Sequence, residues 1–501
     1  MNFLPNKNMM LAIAMLATLP AAYAQDERDA LRFSFLQPQG TARSIGFGNA
    51  LGSIGGDFSS LAVNPAGIGI YRRSELTVTP SLTFSNTDAD YAGNTGDRGS
   101  MTHFAFSNLG LVTTYVPRGR RAARTGWTSV SFGIGLIRLA DFTRSYNYYG
   151  QNTTSSGSFA FEADANQNGL HSDNESLGDL GYQTYLLDTA GNGYMSVVNP
   201  TPNSPVGQLT TVTEKGGISE LGISLGGSYH DKLMIGGTLG FPIVRYIRSR
   251  SFTERDLSGN PNNDFDYFTY NEDLKTTGGG INLKLGFIYK PTDNFRFGAA
   301  IHTPSYISLT DVLDRSAVAN TEGFAGTQSA ALLENQYDYT LTTPWRTVAS
   351  ATVFLGGYGF LTADYEYVDY GAARFNFDDK SYEHDVNNTI KQTLHGASNA
   401  RAGLELRFDN FQIRGGFGYY GNPYKSSATV YNGNGERLDF SGGLGFRFAN
   451  AFIDLGFIHH EYKSSEQPYY LSGPAYANLI VPTAQLSTGN NTAVVTFGFK
   501  L

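Results

Sequence analysis

The sequence predicts an all-β chain that closes as a transmembrane antiparallel β-barrel of about 14 strands with an N-terminal plug. Three observations carry that prediction. A secretory leader opens the chain, apolar residues then recur with period two over long segments, and short connections alternate with long ones.

Residues 1–24 read as a signal peptide. Lys7 supplies the positive start, Met9 to Pro20 the apolar stretch, and Ala22-Tyr23-Ala24 the small-x-small site cleaved before Gln25. That stretch is shorter than the roughly 20 residues of a spanning helix, and no later segment reaches such a length. The chain has no cysteine, which excludes a lipoprotein anchor, a disulfide framework and thiolate metal centres. Only 16% of residues are charged, against 59 glycines, 31 tyrosines and 34 phenylalanines, a balance that suits a large all-β protein. The net charge of -8 argues against a nucleic-acid partner. The basic cluster Arg118 to Arg124 falls in a turn, where it meets solvent or lipid phosphate.

Residues 25–72 do not alternate. They form a Gly-rich, partly helical segment ahead of the first strand, placed to plug a lumen that otherwise stands open. Gly46-Phe47-Gly48 and Gly55-Gly56 are not a dinucleotide fingerprint, because no strand precedes them and no βαβ unit follows.

Residues 73–501 carry the barrel. Ala402, Leu404, Leu406 and Phe408 alternate with Arg401, Gly403, Glu405 and Arg407; Ile281, Leu283, Leu285, Phe287 and Tyr289 alternate with Asn282, Lys284 and Gly286. Strands are expected near 75–85, 103–116, 127–146, 218–230, 232–249, 265–290, 294–309, 337–355, 358–370, 395–408, 410–420, 437–448, 450–463 and 491–501. A soluble sandwich shares the alternation but has shorter strands, about 5–6 residues, and gives no reason for loop parity. Tight turns at His230-Asp231, Pro291 to Asp293, Gly356-Gly357, Asp409 and Asn450 alternate with polar connections, the longest being 150–217. That parity separates periplasmic turns from extracellular loops in the outer membrane of a Gram-negative bacterium. The wall charges Asp364, Glu366, Asp439 and Asp454 and Arg401, Arg407, Arg414 and Arg447 face inward and are expected to pair across strands. Ala493, Val495, Phe497, Phe499 and Leu501 make one face of a terminal strand that resembles a barrel assembly signal.

Gly46 to Ala66, ending in Asn64-Pro65-Ala66-Gly67, resembles the hatch of the FadL/TodX-type outer-membrane transporters of fatty acids and aromatic hydrocarbons. Pro291 to Ala299 with Thr303-Pro304, and Thr343-Pro344-Trp345-Arg346, are similar to the same family. The resemblance covers the hatch and the barrel, although the 150–217 connection is longer than expected. It implies capture of a hydrophobic ligand by the extracellular loops, passage into a lumenal pocket, and release by hatch movement and an inward kink in the third strand. Asn64, Pro65 and Ala66 then carry the hatch motif. Gly133, Gly135 and Asp141, in the third strand, are the kink candidates, though glycines there also serve ordinary curvature. Burial of each CH₂ contributes about 0.8 kcal/mol, so an apolar pocket collects long chains from dilute solution.

One further motif lies in the long loop. Asp164, Asn166, Asn168, Gly169 and Glu175 match a twelve-residue calcium loop and imply a weak site, with His171 in the usually apolar eighth position. Leu177 to Leu187 reads as a short amphipathic loop helix. His459 and His460 face opposite sides of a strand and do not converge on one metal. No G-x-S-x-G elbow suggests catalysis. No cofactor is expected beyond that calcium ion. The expected partners are a hydrophobic small molecule, with detergent in its place after extraction, and outer-membrane lipid around a monomer. A structural or secretion-system barrel of the same family and a diffusive porin remain the alternatives.

Overall fold

Alternation along each strand decides which face of the sheet meets lipid. In the computed structural model, Phe104, Phe106, Leu225, Ile235, Leu285, Phe297, Phe417, Phe457 and Phe497 are all exposed on the outside. Thr77, Thr79, Ser131, Thr238, Glu405, Arg414 and Asp454 are buried on the inside. Apolar-out and polar-in is the arrangement of a barrel in a bilayer. The structure describes residues 26–96, 98–117, 125–171, 175–323, 326–428 and 435–501, so the signal peptide and the 118–124 arginine cluster lie outside the described residues.

Fourteen antiparallel spans close the sheet. They are β1 (Glu75–Tyr91), β2 (Gly99–Tyr115), β3a (Trp127–Asp141) with β3b (Arg144–Asn152), β4 (Val206–Tyr229), β5 (Leu233–Asp256) and β6 (Tyr267–Thr292). Next come β7a (Phe295–His302) with β7b (Tyr306–Asn320), β8a (Asn335–Thr342) with β8b (Arg346–Phe354), and β9 (Gly359–Asp369). The last are β10 (Gly396–Phe408), β11 (Phe411–Tyr420), β12 (Arg437–Arg447), β13 (Ala451–Glu466) and β14 (Ala484–Lys500). Closure is made by β1, which pairs with β2 on one side and β14 on the other, from Glu75↔Lys500 to Asp90↔Gln485. Tight turns take left-handed backbone, with φ of 49° and 58° at His230 and Asp231 and 49° at Asp409.

Strands β4, β5 and β6 have 24, 24 and 26 residues, far more than the about 9–11 that cross a bilayer. Their lower halves carry the apolar belt. Above Ile243 and Ile281 the outward positions turn polar, as at Ser249, Asp273 and Lys275, and stand in water. This palisade supports a cap made by α4 (Ser158–Asn168), α5 (Leu177–Gln183) and a hairpin of Leu187–Ala190 with Gly193–Ser196. Phe161 seats the cap against Phe268 and Tyr270, with ring centroids 5.9 and 5.7 Å away.

Besides the third, two expected strands are each broken. The 294–309 and 337–355 segments divide at Thr303–Ser305 and Thr343–Trp345, side by side. Pro304 and Pro344 lack the N–H that a ladder needs, and the gap closes through Ser305 N–H to Thr343 Oγ1 at 2.8 Å and Thr343 N–H to Ser305 O at 3.0 Å.

Residues ahead of β1 form α1 (Glu27–Ser34), α2 (Ala42–Gly46), α3 (Ser60–Val63) and a 3₁₀ turn (Pro65–Ile70). Nearly every residue from Gly40 to Gly69 is buried. Wall groups satisfy its backbone: Ala42 N–H donates to Thr496 at 2.7 Å, and Gly52 N–H to the Asp364 carboxylate at 3.0 Å.

Candidate functional site

The site begins with the Asn64-Pro65-Ala66 turn. Asn64 caps the 3₁₀ turn by accepting from Ala66 N–H at 3.1 Å. Its Nδ2 donates to Gly52 O at 2.6 Å and to Phe287 O of the wall at 3.1 Å. Pro65 occupies the first helical position, where its missing N–H costs nothing. The turn can sit this close because three wall residues bring no side chain. Gly226, Gly236 and Gly286 lie in register across β4, β5 and β6, and a β-carbon on each would run into Gly69 or Pro65, Pro65, and Asn64 respectively. This glycine row escaped the sequence reading. Its signal is a pair of Gly-Gly doublets, Gly226-Gly227 and Gly236-Gly237, flanking the His230-Asp231 turn.

Ion pairs fasten the same segment. Arg43 lies 3.2 Å from Glu405 and 3.8 Å from Asp57. Burial opposes its charge, yet those two carboxylates hold the guanidinium above its ordinary range. Glu405 also takes Arg414 at 2.8 Å, and Arg414 reaches Asp454 at 2.7 Å, which Arg447 meets at 2.9 Å. Arg401 stands 3.7 Å from Asp364 and 3.8 Å from Glu366. Asp439 pairs with Arg437 at 2.8 Å and His460 at 2.7 Å. His459 turns to Asn491 at 3.0 Å, away from His460.

The third span breaks. Its ladder with β2 runs from Tyr115↔Val130 to Asn108↔Ile137 and stops, although β2 continues to Gly99. β3a ends at Asp141, and β3b resumes against β4 from Arg144↔Glu214. It passes over the tip of the β1–β2 hairpin, where Tyr148 packs on Tyr91 with centroids 5.1 Å apart. Between these two closures the wall is parted, with Phe104 and Phe106 exposed on the lipid side. Asp141 stands at the break, 2.7 Å from His103 of β2 and 3.2 Å from Arg138. The freed edge of β3a is taken up by the N-terminal segment, with Gln37 N–H on Leu139 O at 2.6 Å and Gln39 N–H on Arg138 O at 2.9 Å. Gly133 and Gly135 lie below the break. A β-carbon at Gly133 would stand 3.1 Å from Ile68, and one at Gly135 would meet Leu109 O of β2 at 2.2 Å before the Phe58 ring at 2.6 Å, so Gly133 makes room for the N-terminal segment and Gly135 for both it and the neighbouring strand.

Above the plug, the N-terminal segment and the wall enclose a cavity of about 290 Å³. Phe35 and Leu274 give it apolar surface, while Arg32, Arg144, Glu214 and Arg248 give it charge. Arg32 lies 4.3 Å over the Tyr246 ring, Tyr246 donates to Glu214 at 2.6 Å, and Arg248 pairs with Glu466 at 2.6 Å. The arrangement suits a molecule with both an apolar body and a polar end.

The calcium-loop residues are not brought together. Asp164, Asn166 and Asn168 lie in α4, where a helix turns Asn166 away from the other two. Asp164 accepts from Asn168 at 2.8 Å and from Gly178 N–H at 2.8 Å, fastening α4 to α5. Asn166 holds Tyr194 O at 2.8 Å, and Glu175 lies beyond the helix. Among the described residues no group of three acidic or histidine side chains is placed to hold a metal ion.

No family model matches the chain, and no curated protein matches it in sequence. Among solved structures it is similar to a FadL homologue from Pseudomonas aeruginosa, at 12% identity and a TM-score of 0.56, with 93% of this chain and 99% of that one covered. It is also similar to the toluene transporter TodX of P. putida, at 13% identity and a TM-score of 0.51, covering 91% and 99%. These likenesses bear on fold, and the chain is an outer-membrane-type β-barrel with the FadL/TodX-type fold.

Proposed function

We propose that this barrel takes up hydrophobic small molecules across the outer membrane, binding them in the lumenal cavity and releasing them sideways through the break in the third span. The observation that carries this reading is the parting of β2 from β3 between Asn108/Ile137 and the β1–β2 tip. A wall parted at its lipid-facing belt gives an apolar cargo a way out that avoids water. A diffusive porin has no use for such a break, and the burial of residues 40–69 against inward-facing wall groups supports a plugged rather than an open lumen. The names of the two similar structures, a FadL homologue and a toluene transporter, support an apolar cargo. The charged half of the cavity favours amphiphiles, such as long-chain fatty acids, over bare aromatic hydrocarbons. Uptake of radiolabelled oleate and of toluene by a deletion strain, with and without the gene restored, tests the reading. Restored oleate uptake supports it; uptake of both compounds unaffected by the deletion overturns it.

A further inference from the structure

The outer surface of the barrel carries a cavity of its own. A cleft of about 640 Å³ opens on the lipid-facing side across β3a, β4, β5 and β6. Trp127, Leu225, Ile235 and Leu285 form its walls, and Gly227 and Gly237 its floor. The doublets explain the shape. In each, one glycine faces inward to admit the Asn64-Pro65-Ala66 turn and the other faces outward; the Trp127 ring lies over Gly227, while Gly237 leaves the belt without a side chain. A β-carbon on Gly237 would meet only Leu285 at 3.1 Å and Lys284 O at 3.6 Å, so the space before it is open to lipid.

We infer that this cleft is a binding site for one acyl chain of a phospholipid in the periplasmic leaflet. Its level follows from the short turns. The His230-Asp231 turn and the β6–β7a turn lie at the periplasmic end, and the cleft begins two residues beyond Leu233. Between cleft and turns stand Tyr229, in edge contact with Trp127 at 5.6 Å, and the exposed Tyr289, aromatic residues of the kind that mark the interface. Past them come Lys232, exposed in the β4–β5 turn, and Lys290, which reaches Asp293 at 2.8 Å. Cations at that height suit a phosphate, while the cleft continues the apolar belt inward and takes hydrocarbon. Elsewhere the belt presents a continuous row of side chains; here Trp127, Leu225, Ile235 and Leu285 border a recess into which a chain can settle. The inference is independent of what passes through the lumen.

The chain has two tryptophans, Trp127 and Trp345, which makes the site readable by fluorescence. The Trp345→Phe variant, leaving Trp127 as the reporter, is placed in phosphatidylcholine vesicles with rising fractions of phosphatidylglycerol brominated on its acyl chains. A bound chain quenches Trp127 at a brominated fraction about tenfold lower than random lipid contact requires. Gly237→Leu in the same background fills the cleft and returns quenching to the random-contact curve. Gly415→Leu, at an outward glycine of β11 that also faces open space, leaves it unchanged. Heat-modifiable migration in detergent gels confirms that each variant is a closed barrel. Quenching that follows the bulk fraction in the parent, or survives Gly237→Leu in a closed barrel, overturns the proposal. So does preferential quenching by a brominated free fatty acid, which makes the occupant a fatty acid.

Discussion

Asn64 and Gly286 meet inside the wall so closely that Asn64 Oδ1 fills the place of any β-carbon on Gly286. The residue that fastens the plug and the bare backbone that receives it are one joint. Gly286→Val therefore displaces Asn64 from Phe287 O and Gly52 O. Overpacking of this kind costs about 1–3 kcal/mol. The expected outcome is a lower urea midpoint and, in planar bilayers, a rise in conductance as the plug loosens. A variant with wild-type midpoint and conductance shows that the joint yields without moving the plug.

A second prediction concerns the ionic wall. Arg414 is fully buried between Glu405 and Asp454, at 2.8 and 2.7 Å. Its removal leaves Glu405 to Arg43 and Arg407, and Asp454 to Arg447. Arg414→Ala is expected to destabilise the barrel, by less than the roughly 3–5 kcal/mol of breaking an isolated buried pair from one side. The unfolding temperature seen by heat-modifiable gel migration checks this. Arg407→Ala, at a half-exposed side chain 2.9 Å from Glu405, changes it little.

The cap formed by α4, α5 and their hairpin has a pH dependence that can be read from Glu254. This side chain stands above the apolar belt and accepts from Gly157 N–H at 3.1 Å, Gln208 at 2.8 Å and the Ser156 hydroxyl. Burial outweighs these donors and raises its carboxyl from 4.5 to about 7. Between those values the folded protein holds a proton that the unfolded chain has lost. The stabilisation is therefore complete below 4.5 and lost as pH rises through about 7. Glu254→Gln mimics the neutral form. The difference in melting temperature between wild type and variant is expected to grow against wild type from pH 4.5 to 7.5, and a constant difference removes Glu254 as the cause.

The barrel was legible because lipid enforces strict alternation, and its turns because Asp, His and Gly there must take left-handed backbone. Legibility failed where lipid no longer acts. β4 was expected from 218 but starts at Val206, since its outward Thr211, Thr213 and Lys215 face water and lend no apolar contrast. β14 was expected from 491 and starts at Ala484 for the same reason. The calcium motif matched residue types without their backbone: Phe161 packs on Phe268 and holds Asp164 to Asn168 in a helix. At the third strand Asp141 stands at the break, whereas the space at Gly133 serves Ile68 and that at Gly135 serves the β2 backbone and Phe58. Only the fold could pair those distant groups.

The last prediction addresses the exit. His103 on β2 and Asp141 on β3a stand 2.7 Å apart at the place where the two strands part. The chain has no native cysteine, so a His103→Cys/Asp141→Cys pair can be joined by a reducible bifunctional maleimide without competing thiols. If cargo leaves through the parted wall, the joined barrel still binds oleate but delivers it at least tenfold more slowly, and reductant restores the rate. Each single cysteine controls for loss of the ion pair. Should the joined pair transport at the unjoined rate, release runs downward past Asn64 instead. Gly286→Val then becomes the variant that changes delivery, because the plug and the wall are the two barriers between this cavity and the cell.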